Sequence, residues 1–256
     1  MTNNVVGSID LVEILFTLFW LFFAVLIMYL HRESKREGYP LLSSRNDGVV
    51  VRGFPDLPPP KTYKPAHGEA VTVPRTVDEY ELKAKPAGAG FGSPFVPTGD
   101  PLVDGVGPAA WSDRAETPDL TLHGKPRIVP MRSQPAWHVD DRDPDPRGMD
   151  VIAADGEKVG SITDVWVDIP EPMIVYLEVA LDASIGSGQI LVPFHWANVN
   201  KSAGQIEVDA LLSAQFANVP RLANPDTITL REEDKLMGYF GGGGLLAEPS
   251  RSEPLL

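Results

Sequence analysis

Enzymatic chemistry needs nucleophiles, metal ligands or acids held in unusual surroundings, and this sequence is poor in the first two. Cysteine is absent, which removes thiol nucleophiles, disulfides, zinc-thiolate centres and iron-sulfur clusters and is compatible with a reducing compartment. The histidines, His31, His67, His123, His138 and His195, are scattered. None stands four residues from another, as a two-histidine metal site on one helix face requires. Gly88-Ala-Gly-Phe-Gly92 runs into Pro94 rather than a helix, and Gly241 to Gly244 lacks a preceding strand and a following Lys-Ser/Thr. Both therefore read as flexible turns and not as phosphate loops. Acids are the remaining resource. Asp168 and Glu171 flank a rigid Ile169-Pro170 step. Carboxylates whose pKa is pushed up by burial or by each other relay protons near neutral pH. Taken alone, the pair reads as solvated acids in the turn after a strand.

The elements that must position these residues begin with a membrane segment. Ile14 to Leu30 is uncharged, and extension back through Ile9, Leu11 and Val12 gives about 33 Å of helix at the usual rise, enough for a hydrocarbon core of about 30 Å. A cleaved signal peptide would need a basic leader, whereas residues 1–13 contain no Lys or Arg. Arg32, Lys35 and Arg36 follow the span and nothing basic precedes it. That asymmetry places residues 1–10 outside, a transmembrane helix at 11–31 and the rest of the chain in the cytoplasm. With Tyr39, the three basic residues read as membrane-interface anchors, each cation drawn to anionic headgroups by about 1 kcal/mol. A net charge of −13 repels phosphate backbones, so nucleic acid is not an expected partner.

Residues 40–147 are turn-rich. Ten prolines fall between Pro55 and Pro101, and apolar pairs such as Val49-Val50-Val51, Val71/Val73 and Phe91/Phe95 are spaced between them. The pattern suits a chain laid in extended form over another surface, with a free linker as the alternative. Regular structure gathers after Arg147: a strand, a tight Asp155-Gly156 turn and a second strand, then Ile174 to Leu181, Gln189 to Pro193 and Gln205 to Val208. These short β-branched runs predict a small barrel or curled sheet. Leu211 to Ala217 predicts one or two helical turns. Thr229-Leu-Arg-Glu232 predicts a capping box that opens a helix through about Tyr239, stopped by the four glycines. The expected division is a 32–110 extended segment, a 111–240 globular β-rich domain and a 241–256 flexible tail.

Several segments in order carry a family resemblance: REGYP at Arg36 to Pro40, PKTY at Pro60 to Tyr63, PTGDPLVDGVGPAAW at Pro97 to Trp111, DVWVDIPE at Asp164 to Glu171, YLEV at Tyr176 to Val179, SAQFANVP at Ser213 to Pro220 and TLREEDK at Thr229 to Lys235. With the N-terminal span, the chain resembles the H subunit of the photosynthetic reaction centre of purple bacteria, and 148–208 looks like the PRC-type β-barrel. The resemblance implies a non-enzymatic subunit, itself without pigment, metal or other cofactor. It would sit in the bacterial inner, photosynthetic intracytoplasmic membrane with a periplasmic N-terminus. Its partners would be the pigment-binding L and M subunits, membrane lipids and, around them, a light-harvesting antenna. Bacteriochlorophyll, bacteriopheophytin, quinones and non-haem iron would lie on those partners.

By the same resemblance, Asp168 and Glu171 pass protons toward the secondary quinone, with Glu178 as a further relay. His123 matches one of two histidines at the family's proton uptake point, where an imidazole, ordinarily titrating near 6.5, exchanges protons readily. The second falls at Lys125 here, which leaves uptake to His123 and nearby Asp119. An arginine expected before the LEV segment is replaced by Val175, which leaves Glu178 without that partner. Two other readings differ in class: a membrane-tethered barrel acting as an adaptor or assembly factor, and a quinone-handling enzyme, for which the sequence offers no flavin or nucleotide fingerprint and no nucleophile-base pair.

Overall fold

In the computed structural model, residues 5–6, 9–42, 49–74, 81–88 and 93–251 are described. Phe91 of the expected Phe91/Phe95 pair and residues 252–256 lie outside them. The chain divides into two compact units, residues 1–81 and 82–256.

The first unit is organised by helix α1, Leu11–Glu33. Its 23 residues span about 34 Å, and it is long and apolar enough to cross a membrane. Asp10 caps it, accepting from the Val12 N–H at 3.3 Å. Phe16, Phe19, Trp20 and Phe23, at helical spacing, form a ladder of rings whose neighbouring centroids lie 5.6–6.1 Å apart. All four rings are exposed. After α1 the proline-rich chain is not featureless. Short antiparallel ladders join Leu41–Leu42 to Val50–Val51 and Lys61–Tyr63 to Val71–Val73.

At the end of α1 the residues expected at the membrane interface differ in exposure. Of the four residues read as interface anchors, only Arg32 is exposed. Lys35 is 2% exposed: its ammonium donates to the carbonyls of Arg52 at 3.0 Å and Pro55 at 2.6 Å and stands 5.2 Å from the centroid of the Tyr39 ring. Arg36 grips both oxygens of Glu33 at 2.8 Å and reaches the Pro59 and Val73 carbonyls. A proline-rich segment has few N–H donors to pair with its own carbonyls. Side chains at the helix end supply them instead.

The second unit is built on one curled sheet. Its strands are β1 (Ile128–Pro130), β2 (Asp150–Ala153), β3 (Lys158–Asp168), β4 (Met173–Leu181), β5 (Gln189–Pro193), β6 (Asn198–Asn200) and β7 (Gln205–Val208). The order is β5-β4-β3-β2-β7-β6, with β1 added to the far end of β3. Only β2 and β7 run parallel. The two ends of this path, β5 and β6, are joined through residues 194–197 alone, so the sheet must curl until its edges approach. Val151, Val159, Val165, Leu177, Val179, Val192 and Ile206 fill the interior. The expected hairpin forms at Asp155-Gly156, where Gly156 takes φ +81°. Strands β1 and β6 have no counterpart among the expected elements.

Helix α2, Leu230–Leu246, opens with the expected capping box: the Thr229 hydroxyl accepts from the Glu232 N–H, and the Glu232 carboxylate accepts from the Thr229 N–H. It does not stop at the glycines. A Cβ on Gly238 or Gly242 would lie under 3.0 Å from the backbone of Ala109, and one on Gly243 under 3.0 Å from the Ala210 carbonyl. Gly241 and Gly244 pass the Trp196 ring at ordinary distance. The run is thus a close-approach surface rather than a turn, its cost in helix propensity offset by packing on three sides.

Two outcomes are expected for the full chain in detergent. Gly242→Val should destabilise the folded state by about 2 kcal/mol or more, as overpacking against backbone does, whereas Gly241→Ala, whose Cβ would meet only the Trp196 ring at ordinary contact distance and which has better helix propensity, should be neutral or stabilising. Denaturant midpoints compare the two. Lys35→Met should leave the Arg52 and Pro55 carbonyls without their charged donor, and amide exchange across residues 50–59 should then accelerate.

Candidate functional site

Two arginines that sequence reasoning missed organise the acids it found. Strand β1 lies antiparallel to the end of β3, with Ile128 opposite Asp168 and Pro130 opposite Trp166. The residue before β1, Arg127, is held on both sides: its N–H donates to the Asp119 carbonyl, and its carbonyl accepts from the Ile169 N–H at 3.0 Å. Its guanidinium donates to Asp168 Oδ2 through Nε at 2.8 Å and to Glu171 Oε1 through Nη2 at 3.0 Å, and stands 3.7 Å from Asp119 Oδ2. One cation thus gathers Asp119, Asp168 and Glu171. The Asp168 side chain is 8% exposed and that of Glu171 67%, so the cluster runs from interior to solvent across one guanidinium. Asp168 Oδ1 also accepts from the Glu171 N–H at 3.3 Å, which fixes the Ile169-Pro170 step between them.

His123 sits on the turn beyond this cluster. The Thr121 N–H donates to the Lys125 carbonyl, and the Thr121 hydroxyl accepts from the N–H groups of His123 and Lys125. The turn presents His123 to solvent four residues from Asp119.

Glu178 belongs to a different cluster. A bulge at Thr163 in β3 brings Asp164 directly opposite Glu178 on β4, and two carboxylates in that relation repel. Both are buried, at 4% exposure. Arg132, just past β1, answers them: Nη1 donates to Glu178 Oε2 at 2.7 Å and Asp164 Oδ2 at 3.2 Å, while Nη2 donates to Asp226 at 2.9 Å. The Trp166 indole and the Thr163 hydroxyl, each at 3.0 Å, complete the shell of Glu178. The partner that appeared lost with Val175 is supplied from another element. Val175 lines a separate cleft.

That cleft, of about 320 Å³, is walled by Arg114, Asp119, Arg127, Asp168, His195 and Glu233 together with residues 173–175. Glu233, in the first turn of α2, was not foreseen. Its carboxyl is pushed up from the ordinary range chiefly by burial, and it accepts from the buried Tyr176 hydroxyl at 3.3 Å. The sequence shows Glu233 only as one of three consecutive acids at a helix start, where acids are expected for the helix dipole alone. Among the described residues, no group of three or more His, Cys, Asp or Glu is placed to hold a metal ion.

Two family models match this chain. The photosynthetic reaction centre H-chain N-terminal region covers residues 3–133, and the PRC-barrel domain covers residues 138–215. The first carries α1, the proline-rich segment, β1 and both arginines. The second carries strands β2 to β7 and four of the acids that the arginines hold, Asp164, Asp168, Glu171 and Glu178. With an apolar N-terminal helix, a PRC-type sheet and more than half its length matched to a non-enzymatic subunit of a membrane complex, the chain belongs to the photosynthetic reaction centre H-chain family.

Proposed function

We propose that this chain covers the pigment-binding L and M subunits of a bacterial reaction centre on their cytoplasmic side, stabilises them, and helps conduct protons to the secondary quinone. The observation that carries the proton role is the Arg127 cluster, in which Asp119, Asp168 and Glu171 share one guanidinium between a buried and an exposed end. A quinone reduced twice in a water-poor pocket must receive two protons, and a fixed row of carboxylates with a histidine at its mouth is suited to pass them. His123 and Asp119 take protons from solvent; Glu171 and Asp168 relay them. Glu178, locked by Arg132, Trp166 and Thr163, sits apart from this row and contributes chiefly to holding β3 against β4. Bacteriochlorophyll, bacteriopheophytin, the quinones and the non-haem iron belong to the partners in this reading. The exposed ring ladder of α1 packs on their helices, and the antenna surrounds the assembly.

Glu171→Gln in the assembled complex should slow the proton-coupled second electron transfer at least about tenfold, less than an obligatory acid or base because Asp168 and Asp119 share its guanidinium. The first electron transfer should change much less, because the semiquinone anion forms before it binds a proton. Flash-induced kinetics of the second turnover from about pH 6 to 9 measure this. Unaltered rates throughout would leave the subunit with a structural role. Glu178→Gln, in contrast, should lower thermal stability and leave those kinetics nearly intact. The orientation in this reading, with the sheet domain inside, is supported by the basic residues after α1, and protease added to inside-out vesicles should then digest that domain.

A further inference from the structure

A second histidine borders the cleft that contains Asp119 and Asp168. His195 lies in the short connection, residues 194–197, that closes the curled sheet between β5 and β6. It is exposed and borders two clefts. One is the cleft of about 320 Å³ that also contains Asp168, Arg127, Asp119, Arg114 and Glu233. The other, of about 510 Å³, is walled in part by Glu207, Asp209 and Arg251. The backbone register explains why His195 and Glu233 share the first cleft. Pro193, two residues before His195, pairs with Tyr176, and the Tyr176 hydroxyl holds Glu233. The seam histidine and the helix-start glutamate are therefore brought to opposite sides of one strand's end. The space between has ample room for several waters, each with polar partners on the walls.

We propose that His195 and Glu233 form a second proton intake, in parallel with the His123 route, that feeds through the cleft into the Asp168 and Glu171 pair, which both routes share. It rests on the proton-conducting reading above. Each step moves a proton and nothing else. Solvent protonates the His195 imidazole, the imidazole gives that proton through cleft water to the Glu233 carboxylate, and Glu233 gives it on to Asp168. Every group returns to its starting state. Glu233 is suited to the middle position because burial favours its protonated form, while Tyr176, whose own proton is held more tightly than in a free phenol by burial and by Glu233, orients the carboxyl without competing for the transfer. Charges facing the route are Arg114 and Arg127 on one wall, Asp119 and Asp168 beside them, and Glu207, Asp209 and Arg251 behind His195.

The test is the second-turnover rate of the assembled complex across the same pH range, in His123→Gln, His195→Gln and the double variant. Parallel routes predict about a twofold slowing for either single change and about tenfold for both, a departure from additivity that marks shared flux. Glu233→Gln should slow the reaction as His195→Gln does and add nothing to it. It should also remove one protonated-carboxylic-acid band from the infrared difference spectrum. A double histidine variant no slower than His123→Gln alone overturns the proposal, and so does a Glu233→Gln variant that slows the first electron transfer as much as the second. Should Glu233→Gln prevent assembly, the exposed His195 still decides the question. If Glu171→Gln slows the second turnover while the double histidine variant matches His123→Gln, the seam route alone falls. If Glu171→Gln has no effect, the whole proton-conducting reading falls with it.

Discussion

Three carboxylates of β3 and β4, those of Asp164, Asp168 and Glu178, are nearly closed off from water, and burying a charge costs several kcal/mol unless it is paired and hydrogen-bonded. Everything notable about the second unit answers that demand. Arg127 and Arg132 stand at the two ends of β1, a strand of three residues, and each turns a group of mutually repelling acids into a bonded cluster. The strand looks too small to matter to the core. Its importance is that pairing with the end of β3 sets both guanidinium groups at the right depth. The two family regions meet between residues 133 and 138, so both cations come from one and the three buried anions from the other. The barrel region and the H-chain region are joined by charge as well as by chain.

The glycine-rich helix meets a related constraint with geometry instead of charge. The Ala109 backbone and the Ala210 carbonyl approach α2 so closely that side chains on Gly238, Gly242 or Gly243 would collide with them. Such an approach fixes the start of α2, where Arg231 bridges Asp113 and Glu116, and Lys235 covers the Trp111 ring. Glu233 sits one turn into that same helix start. A shift of the helix by a fraction of a turn would carry this carboxyl out of the cleft it shares with Asp168.

Much of this was legible in the sequence, and the failures share a cause. The span, the Asp155-Gly156 hairpin, strands β4, β5 and β7 and the Thr229 capping box all announce themselves through local pattern, because each is specified within about ten residues. Asp168 and Glu171 were found through a family motif and Asp119 through its nearness to His123, but their common partner was not found: Arg127 is an unremarkable residue before a three-residue strand ending in proline. Arg132 was missed for the same reason, and the loss of an arginine at Val175 therefore looked like a vacancy. The glycines were misread because a run of four is locally a helix breaker, and only the backbone packed against them shows why a helix needs them. Long-range pairing leaves no local signature.

The position of Lys35 separates two moments in the life of the chain. While a nascent N-terminal segment inserts, the proline-rich stretch that follows has yet to be made or folded, and Lys35 and Arg36 would be free cations of the kind that bias the direction of a helix. Once the Arg52 and Pro55 carbonyls arrive, the same ammonium disappears from the surface, and Arg36 turns to Glu33, Pro59 and Val73. Cations that would bias orientation under the positive-inside rule are thus largely engaged by protein groups in the folded unit. Reversing the helix afterwards would first require unfolding the segment that has closed over them.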